Sequence, residues 1–357
     1  MDIELKPLNL PGSDDRPFVI AGPCSAESRE MLMSAAGNLV GYPNVLFRAG
    51  LWKPRTRPSA FEGVGKEGLA WLSEVRKTYG LKVCTEVASA EHVELCLKSG
   101  VDALWIGART SGNPFSMQEI AEALSGTDIP IFIKNPLNPD LKLWIGAIER
   151  LQKSNCLNVH AIHRGFSLAD NGVYRQSPLW QIPIELRRLM PELKILCDPS
   201  HIAGKREFVF GLAQTAMNLC FDGLMVEMHP CPEKAKTDAE QQLTPEQLHD
   251  LIAGLKITRE EDQRQTDLEL LREKIDKIDT EIIGLLGERM QISRQVSRIK
   301  KEKNMSVLQI NRWDKLLKER MQQAEKRGLR GGFVKEIFEQ IHEESVSIQD
   351  EMLKEDK

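Results

Sequence analysis

Four side chains of types that bind divalent metals are spread along the first two thirds of the sequence: Cys24, His201, Glu227 and Asp238. A thiolate, an imidazole and two carboxylates suit a borderline divalent ion better than Mg2+ or Ca2+. Mn2+, Fe2+, Co2+ and Zn2+ are all candidates. Because these residues are far apart in sequence, Cys24 could instead be a buried thiol and His201 a loop histidine with a structural hydrogen bond.

A set of basic residues accompanies these candidate ligands. Its members are Arg48, Lys53, Arg55, Arg109, Lys134 and Arg164. So many positive charges in one site would repel one another without an anion, and arginine binds phosphates and carboxylates through two parallel hydrogen bonds. Any one of them could be a solvated loop charge, but as a set they indicate a polyanionic substrate or two phosphorylated substrates.

The elements that must position these residues are short, continuously apolar runs. Eight occur, at residues 18–21, 45–48, 82–87, 103–107, 131–134, 158–163, 194–197 and 223–227. Such runs are typical of strands buried on both faces of a parallel sheet. Between them lie amphipathic segments that predict helices, including residues 67–79, 90–99, 141–153, 183–190 and 204–218.

Strands that alternate with helices over about 250 residues predict an α/β fold of the (β/α)8 TIM-barrel type. Functional residues of such barrels gather at the carboxyl ends of the strands, where the candidate ligands and cations fall in this sequence. Strands one, seven and eight would be neighbours, which would bring Cys24, His201 and Glu227 together. An open doubly wound sheet is the alternative, but no GxGxxG follows the first run, so its dinucleotide-binding version has no support.

The composition argues against several classes of protein. A net charge of −4 does not fit a general nucleic-acid binder, and no apolar run approaches the ~20 residues of a membrane helix. The first residues lack the basic-then-apolar layout of a signal peptide. The 7 cysteines form no disulfide framework, which predicts reduced thiols in a cytoplasmic protein.

From Thr266 onward the sequence contains little glycine and no proline. Apolar residues recur there in steps of three and four, as at Leu268, Leu271, Ile275 and Ile278, which predicts one long amphipathic helix. Further helices are predicted at about residues 311–327 and 332–353. Because three helices cannot easily bury so long an apolar seam within one chain, we expect a homodimer through this region, with a higher oligomer left open.

Basic residues interrupt the seam of the long helix. Arg289 falls where the apolar pattern expects a leucine, and a buried arginine is costly unless it meets an anion. Lys300 shares its face, about three turns further on. Arg272 lies well around the helix and would more easily reach a site on a partner chain. The alternative is that all three extend to solvent or pair with glutamates.

The motifs of the barrel region carry a specific resemblance. GPCSAES, KPRT, IGARTSGNP, IKNP, HRGF, DPSH and VEMHPCPEKAKTDAEQQL follow one another in that order. Over residues 18–255 the chain resembles the 3-deoxy-D-arabino-heptulosonate 7-phosphate (DAHP) synthases, of the subfamily that shares its barrel with the sugar-acid synthase KDO8P synthase. The segment KPRT favours the DAHP enzyme, because KDO8P synthases carry a different sequence in that loop.

This resemblance implies roles for the site residues. The metal ligands would be Cys24, His201, Glu227 and Asp238. Phosphoenolpyruvate would be held by Arg48, Lys53, Arg109, Lys134 and Arg164, and erythrose 4-phosphate by Arg55 and Thr56. The metal would act as a Lewis acid on the aldehyde that the enol carbon attacks, and Lys53 and His163 are candidates to move protons. Arg57, where many relatives have a small residue, is either a further phosphate contact or a solvated charge.

A second resemblance covers residues 267–352. LLREKIDKIDTEIIGLLGERMQISRQVSRIKKEK and FEQIHEESVSIQ resemble the first and third helices of the all-helical chorismate mutases. It implies that chorismate or prephenate is held by Arg272, Arg289, Lys300, Gln309, Arg312 and Gln349. Lys300 and Gln349 would be catalytic, since they would face the ether oxygen, where negative charge grows as its bond breaks.

The second-helix region departs from that family. Gln309 and Trp313 stand where acidic residues are common. Gln309 can still form a hydrogen bond with a hydroxyl, whereas Trp313 cannot accept one. We therefore expect either a reduced mutase activity or partial compensation by Asp314.

We predict a barrel at residues 1–255, a linker at 256–266 and a helical domain at 267–357. The predicted function is that of a bifunctional enzyme of aromatic amino-acid biosynthesis, with DAHP synthase and chorismate mutase activities and with feedback control of the barrel by the helical domain. Two alternatives remain open. One is a monofunctional synthase whose helical domain only senses chorismate or prephenate, and the other is a KDO8P synthase-like enzyme that uses arabinose 5-phosphate.

Overall fold

The computed structural model describes residues 17–53, 61–257, 266–303, 305–306 and 310–354. Residue contacts divide the chain into two compact units, Met1–Glu260 and Glu261–Lys357. Arg55, Thr56, Arg57 and Gln309 lie outside the described residues.

The first unit is a closed barrel of parallel strands that follow one another in sequence order, with β8 hydrogen-bonded to β1. The strands are β1 Phe18–Gly22, β2 Val45–Arg48, β3 Lys82–Val87, β4 Ala103–Ile106, β5 Ile131–Lys134, β6 Val159–His163, β7 Ile195–Cys197 and β8 Gly223–Glu227. This confirms the predicted TIM barrel, and the predicted strand bounds hold to within one residue at nearly every end.

The strands are buried on both faces because the interior of the barrel is itself a packed core. Side chains that alternate along the strands fill it, among them Ile20, Trp105, Phe132 and Met225. Two residues after such positions the side chain still points inward but is polar, as at Lys134 after Phe132 and Glu227 after Met225. The carboxyl end of the barrel is therefore lined with charge directly above an apolar core.

Helices surround the barrel. They are α1 Arg29–Gly37, α2 Glu67–Tyr79, α3 Ala90–Ser99, α4 Ala108–Ser111, α5 Pro114–Leu124, α6 Leu141–Lys153, α7 Gln181–Leu189, α8 Pro199–Ala203, α9 Val209–Asn218 and α10 Pro245–Gly254. The helix predicted at residues 204–218 starts late. Gly204 ends α8 with φ 71°, and a 3-10 turn at Arg206–Phe208 precedes α9.

Gly22, at the end of β1, permits a close approach between neighbouring strands. It adopts φ 144°, and a Cβ atom at this position would lie 2.2 Å from the carbonyl oxygen of Arg48. Only glycine tolerates this combination. The approach brings an Arg48 guanidinium nitrogen within 3.4 Å of the Cys24 carbonyl oxygen.

The second unit contains α11 Thr266–Glu302, α12 Ile310–Glu325 and α13 Gly331–Lys354, and α13 packs against both other helices. The predicted long helix is confirmed. Along it Leu271, Ile278 and Leu285 remain 55–65 % exposed in the single chain. The homodimer that would cover this seam stays a prediction. None of the helices in the described ranges is both long enough and apolar enough to cross a membrane.

Candidate active sites

Three of the candidate metal ligands meet at the carboxyl end of the barrel. Cys24 follows β1, Glu227 ends β8 and Asp238 lies in the loop after β8, and their ligand atoms all lie within 4.8 Å of one another. The Cys24 thiol donates to Oδ2 of Asp238 at 3.0 Å. Burial, together with the neighbouring Glu227 carboxylate, raises the pKa of this thiol. A divalent cation would offset the cost of ionising the buried thiol, because it stabilises the thiolate and both carboxylates. The donor set therefore fits a metal ion.

His201, the remaining candidate ligand, lies beside this group in the middle of the short helix α8. Its Nε2 is 3.5 Å from Oε1 of Glu227, and its Nδ1 is 2.7 Å from Oδ2 of Asp198. Burial lowers the pKa of the His201 imidazole, which favours the neutral, ligating form. Nδ1 makes no hydrogen bond of good geometry among the described residues despite this short distance, and Nε2 is directed at the Glu227 carboxylate.

Three residues that the sequence did not indicate hold these ligands: Arg175, Gln241 and Gln242. The Arg175 guanidinium donates to Oδ1 of Asp238 at 2.8 Å and to Oε1 of Gln241 at 2.9 Å. The buried Gln241 amide donates to Oε2 of Glu227 at 2.7 Å. Gln242 accepts from the Cys24 backbone N–H at 3.0 Å. Both glutamines lie within the motif VEMHPCPEKAKTDAEQQL. Because they carry no charge, their residue type did not indicate a role at this site.

A cavity of about 190 Å³ opens beside these ligands. Its lining includes Lys53, Glu86, Arg109, Lys134, Arg164, Arg175, His201 and Asp238. Both lysines of this lining have carboxylate partners. Lys53 Nζ lies 3.8 Å from Oε2 of Glu86, and Lys134 Nζ lies 2.7 Å from Oδ2 of Asp198. The structure thus brings Lys53, Arg109, Lys134 and Arg164 to one cavity.

Two arginines at this end of the barrel retain hydrogen-bonding capacity. Arg48 is fully buried, with one nitrogen 3.1 Å from Oε1 of Glu227, and its Nε and other terminal nitrogen have no partner among the described residues. One terminal nitrogen of Arg164 is likewise buried without such a partner. Burial lowers the pKa of Arg164 to about 10, and the charges of Arg175 and Arg109 add to the shift. An anion in the cavity would relieve this repulsion.

His163 does not belong to this cavity. Because Ile162 points into the barrel core, the next side chain of β6 points outward, where the His163 ring packs near Phe166, Trp180 and Phe221. Burial lowers its pKa to about 3. The expectation that His163 moves protons is corrected on this ground: it packs the layer between barrel and helices.

The second unit places basic residues of α11 against polar residues of α13. Arg289 donates to the Ser345 hydroxyl, and Lys300 Nζ donates to Oε1 of Gln349 at 3.2 Å. Burial lowers the pKa of both cations, and the charge of Arg312 adds to the shift at Lys300. The three cations Arg289, Lys300 and Arg312 are therefore brought together with the neutral Gln349, and their positive charges favour binding of an anion.

Two further residues noted in the sequence, Arg272 and Trp313, have different surroundings. Arg272 is exposed on α11, and no contact in the described residues joins it to the group above. Trp313, one of the two departures from the mutase pattern, packs on His342 with ring centroids 4.0 Å apart.

Two known protein families match the chain, one over the barrel unit and one over the helical unit. The DAHP synthetase I family matches residues 3–264, and the chorismate mutase type II family matches residues 271–350.

Individual relatives match the barrel part of the chain. The phospho-2-dehydro-3-deoxyheptonate aldolase of Thermotoga maritima is 32 % identical over 238 residues, which is 67 % of this chain and 68 % of that protein. The 2-dehydro-3-deoxyphosphooctonate aldolase of Dechloromonas aromatica is 29 % identical over 268 residues, which cover 68 % of this chain and 91 % of that protein. A crystal structure of the Thermotoga maritima DAHP synthase superposes with a TM-score of 0.62 at 29 % identity, covering 71 % of this chain and 76 % of that one.

Proposed function

Because the chain belongs to the DAHP synthetase I family and carries a chorismate mutase type II domain, we propose that one polypeptide catalyses two reactions. The barrel condenses phosphoenolpyruvate with erythrose 4-phosphate to give DAHP and phosphate, and the helical unit rearranges chorismate to prephenate. The observation that carries the first assignment is a buried thiol–carboxylate cluster beside a cation-lined cavity. We keep residues 1–255, 256–266 and 267–357 as the proposed barrel, linker and helical domain.

At the barrel site, Cys24, His201, Glu227 and Asp238 would hold a divalent metal, with Mn2+ as the first choice and Fe2+, Co2+ or Zn2+ as alternatives. When bound, this ion supplies Lewis acidity for the aldehyde of erythrose 4-phosphate. In support, the ligand atoms of Cys24, Glu227 and Asp238 lie within 4.8 Å of one another, and hydrogen bonds fix the two carboxylates. His201 Nε2 lies 3.5 Å from Oε1 of Glu227.

The cations would hold phosphoenolpyruvate through its phosphate and carboxylate. Arg48, Lys53, Arg109, Lys134 and Arg164 are the proposed contacts, and the unpartnered guanidinium nitrogens of Arg48 and Arg164 support this assignment. Positioning both reactants in attack geometry lowers the barrier chiefly by removing the entropy cost of their encounter. Lys53 remains the proposed proton-transfer residue, since its ammonium lies beside Glu86 in the cavity lining. Arg55 and Thr56 are retained as contacts of erythrose 4-phosphate.

In the helical unit, Arg289 and Arg312, with Arg272 and Gln309, would hold the two carboxylates and the ring of chorismate in its compact conformer. Lys300 and Gln349 would stabilise negative charge on the ether oxygen as its bond breaks. Support comes from the contact between these two side chains, which places a cation and an amide at one point.

The test is a set of assays on the purified full chain. We expect phosphate release from phosphoenolpyruvate with erythrose 4-phosphate, at a kcat/KM at least about 100-fold above that with arabinose 5-phosphate, and consumption of chorismate in a separate assay. A discrimination of this size requires about 3 kcal/mol of differential transition-state binding. A preference for arabinose 5-phosphate would instead support the KDO8P synthase alternative.

A second role of the helical unit, control of the barrel, is proposed because a site for a downstream metabolite is fused to the first enzyme of its pathway. We expect saturating prephenate or chorismate to lower the DAHP synthase rate about fivefold or more, as for a coupling energy of 1–3 kcal/mol. An Arg289→Leu variant should lose this inhibition, because the ligand would lose a charged contact. Unchanged synthase kinetics at saturating prephenate would argue against control.

A further inference from the structure

The Trp313 indole on α12 and the His342 imidazole on α13 form a close, tilted ring pair. Their ring centroids are 4.0 Å apart and their planes differ by 33°. Both side chains are half-buried in the single chain. A contact of this kind restricts the orientation of the imidazole, because the ring can turn only by losing its contact with the indole.

His342 lies on the same face of α13 as two residues of the cation site. Ser345 and Gln349 follow it by three and seven positions, which is one and two turns along the helix. These two side chains contact Arg289 and Lys300, respectively. His342 therefore faces the same cations.

Burial and the neighbouring cations both favour the neutral form of His342. Burial lowers the pKa of its imidazole, and the positive charges of Arg289 and Lys300 on α11 add to the shift. A neutral imidazole offers one hydrogen-bond donor and one acceptor. The site thus combines cations with an uncharged polar ring.

Binding of chorismate calls for both cations and an uncharged polar group. Chorismate carries two carboxylates, which cations can bind, and one ring hydroxyl, which needs an uncharged or acidic hydrogen-bond partner. Gln349 is already used by Lys300, and Trp313 has only a donor, its indole N–H.

We propose that His342 is a substrate-contacting residue of the mutase site, where a ring nitrogen hydrogen-bonds the hydroxyl of chorismate while Trp313 holds the ring in place. This inference rests on the proposed mutase function. It adds a hydroxyl contact from α13 to the one that the proposed site assigns to Gln309, and it replaces the acceptor that Trp313 cannot supply.

The experiment compares two substrates and several variants of the full-length protein. The substrates are chorismate and its analogue without the ring hydroxyl. The variants are His342→Ala, His342→Gln, which keeps a hydrogen-bonding group, and Trp313→Leu. His249→Ala is the matched control, since this histidine lies on α10 and contacts Tyr42.

With chorismate, we expect His342→Ala to lower kcat/KM about tenfold, as for the loss of one hydrogen bond to substrate. With the deoxy analogue, His342→Ala and the unsubstituted protein should agree within about twofold, because the contact has no partner. His342→Gln should recover most of the activity, and Trp313→Leu should weaken the preference for the hydroxylated substrate.

Other results would overturn the inference. Equal losses on both substrates would assign His342 a purely structural role, and an unchanged rate of His342→Ala with chorismate would remove it from the site. If the unsubstituted protein did not turn over chorismate at all, the proposed mutase function itself would fail, and this inference with it.

Discussion

Replacing Cys24 with alanine should reduce DAHP formation by about 1000-fold or more while chorismate consumption continues. The thiol lies 3.0 Å from Asp238 in the proposed ligand set, and its loss leaves the Glu227 and Asp238 carboxylates with a weaker hold on the cation. A Lewis acid contributes several kcal/mol to such a reaction, and each 1.4 kcal/mol corresponds to a factor of ten. Initial rates of both reactions on the same preparation measure the effect.

Treatment with a chelator should have the same selective effect and should be reversed by added Mn2+. Cys96→Ala is the matched control, because Cys96 is equally buried but lies on α3, away from the carboxylates. DAHP formation that survived both Cys24→Ala and chelation would remove Cys24 and the metal from the proposed mechanism.

The second large effect is expected from Lys300→Met, which should lower chorismate turnover by about 100- to 1000-fold. The substitution keeps much of the length of the side chain but removes the positive charge that lies 3.2 Å from Gln349. Loss of one preorganised donor at a developing oxyanion typically has a cost of this size. Because the charge matters most in the transition state, kcat should fall more than KM rises.

Lys335→Met is the control for charge and stability, since Lys335 is exposed on α13 and pairs with Glu339. The DAHP synthase rate without effector should be unchanged in both variants. A Lys300→Met protein that kept full mutase activity and normal thermal unfolding would place the catalytic group elsewhere.

Strand positions and the cationic cavity could be predicted because each depends on local pattern. An apolar run that ends in a charged residue predicts a buried strand whose last side chain lies at the carboxyl end of the barrel, as at Lys134 and Glu227. The placement of His163 was wrong because only its position at a strand end was considered. Alternation from the inward-facing Ile162 would have directed it outward.

The residues that support the ligands could not be predicted from pattern. Arg175 and Gln241 lie in loops without periodicity, and their contacts depend on how those loops fold over the barrel. Asp238 adopts φ 49°, which few residues other than glycine do, and this turn directs its carboxylate towards Cys24. Such a backbone conformation leaves no mark in sequence composition.

Closure of the barrel by β1 and β8 has a consequence for protein synthesis. Cys24 and Asp238 are 214 residues apart in the chain, so a ribosome adding 5–20 residues per second makes the second roughly 10–40 s after the first. During that interval the thiol has neither its carboxylate neighbours nor the last strand to shield it. A nascent chain cut short before β8 would be unable to assemble the ligand cluster and would keep an oxidisable sulfur and an open sheet edge exposed to the cell.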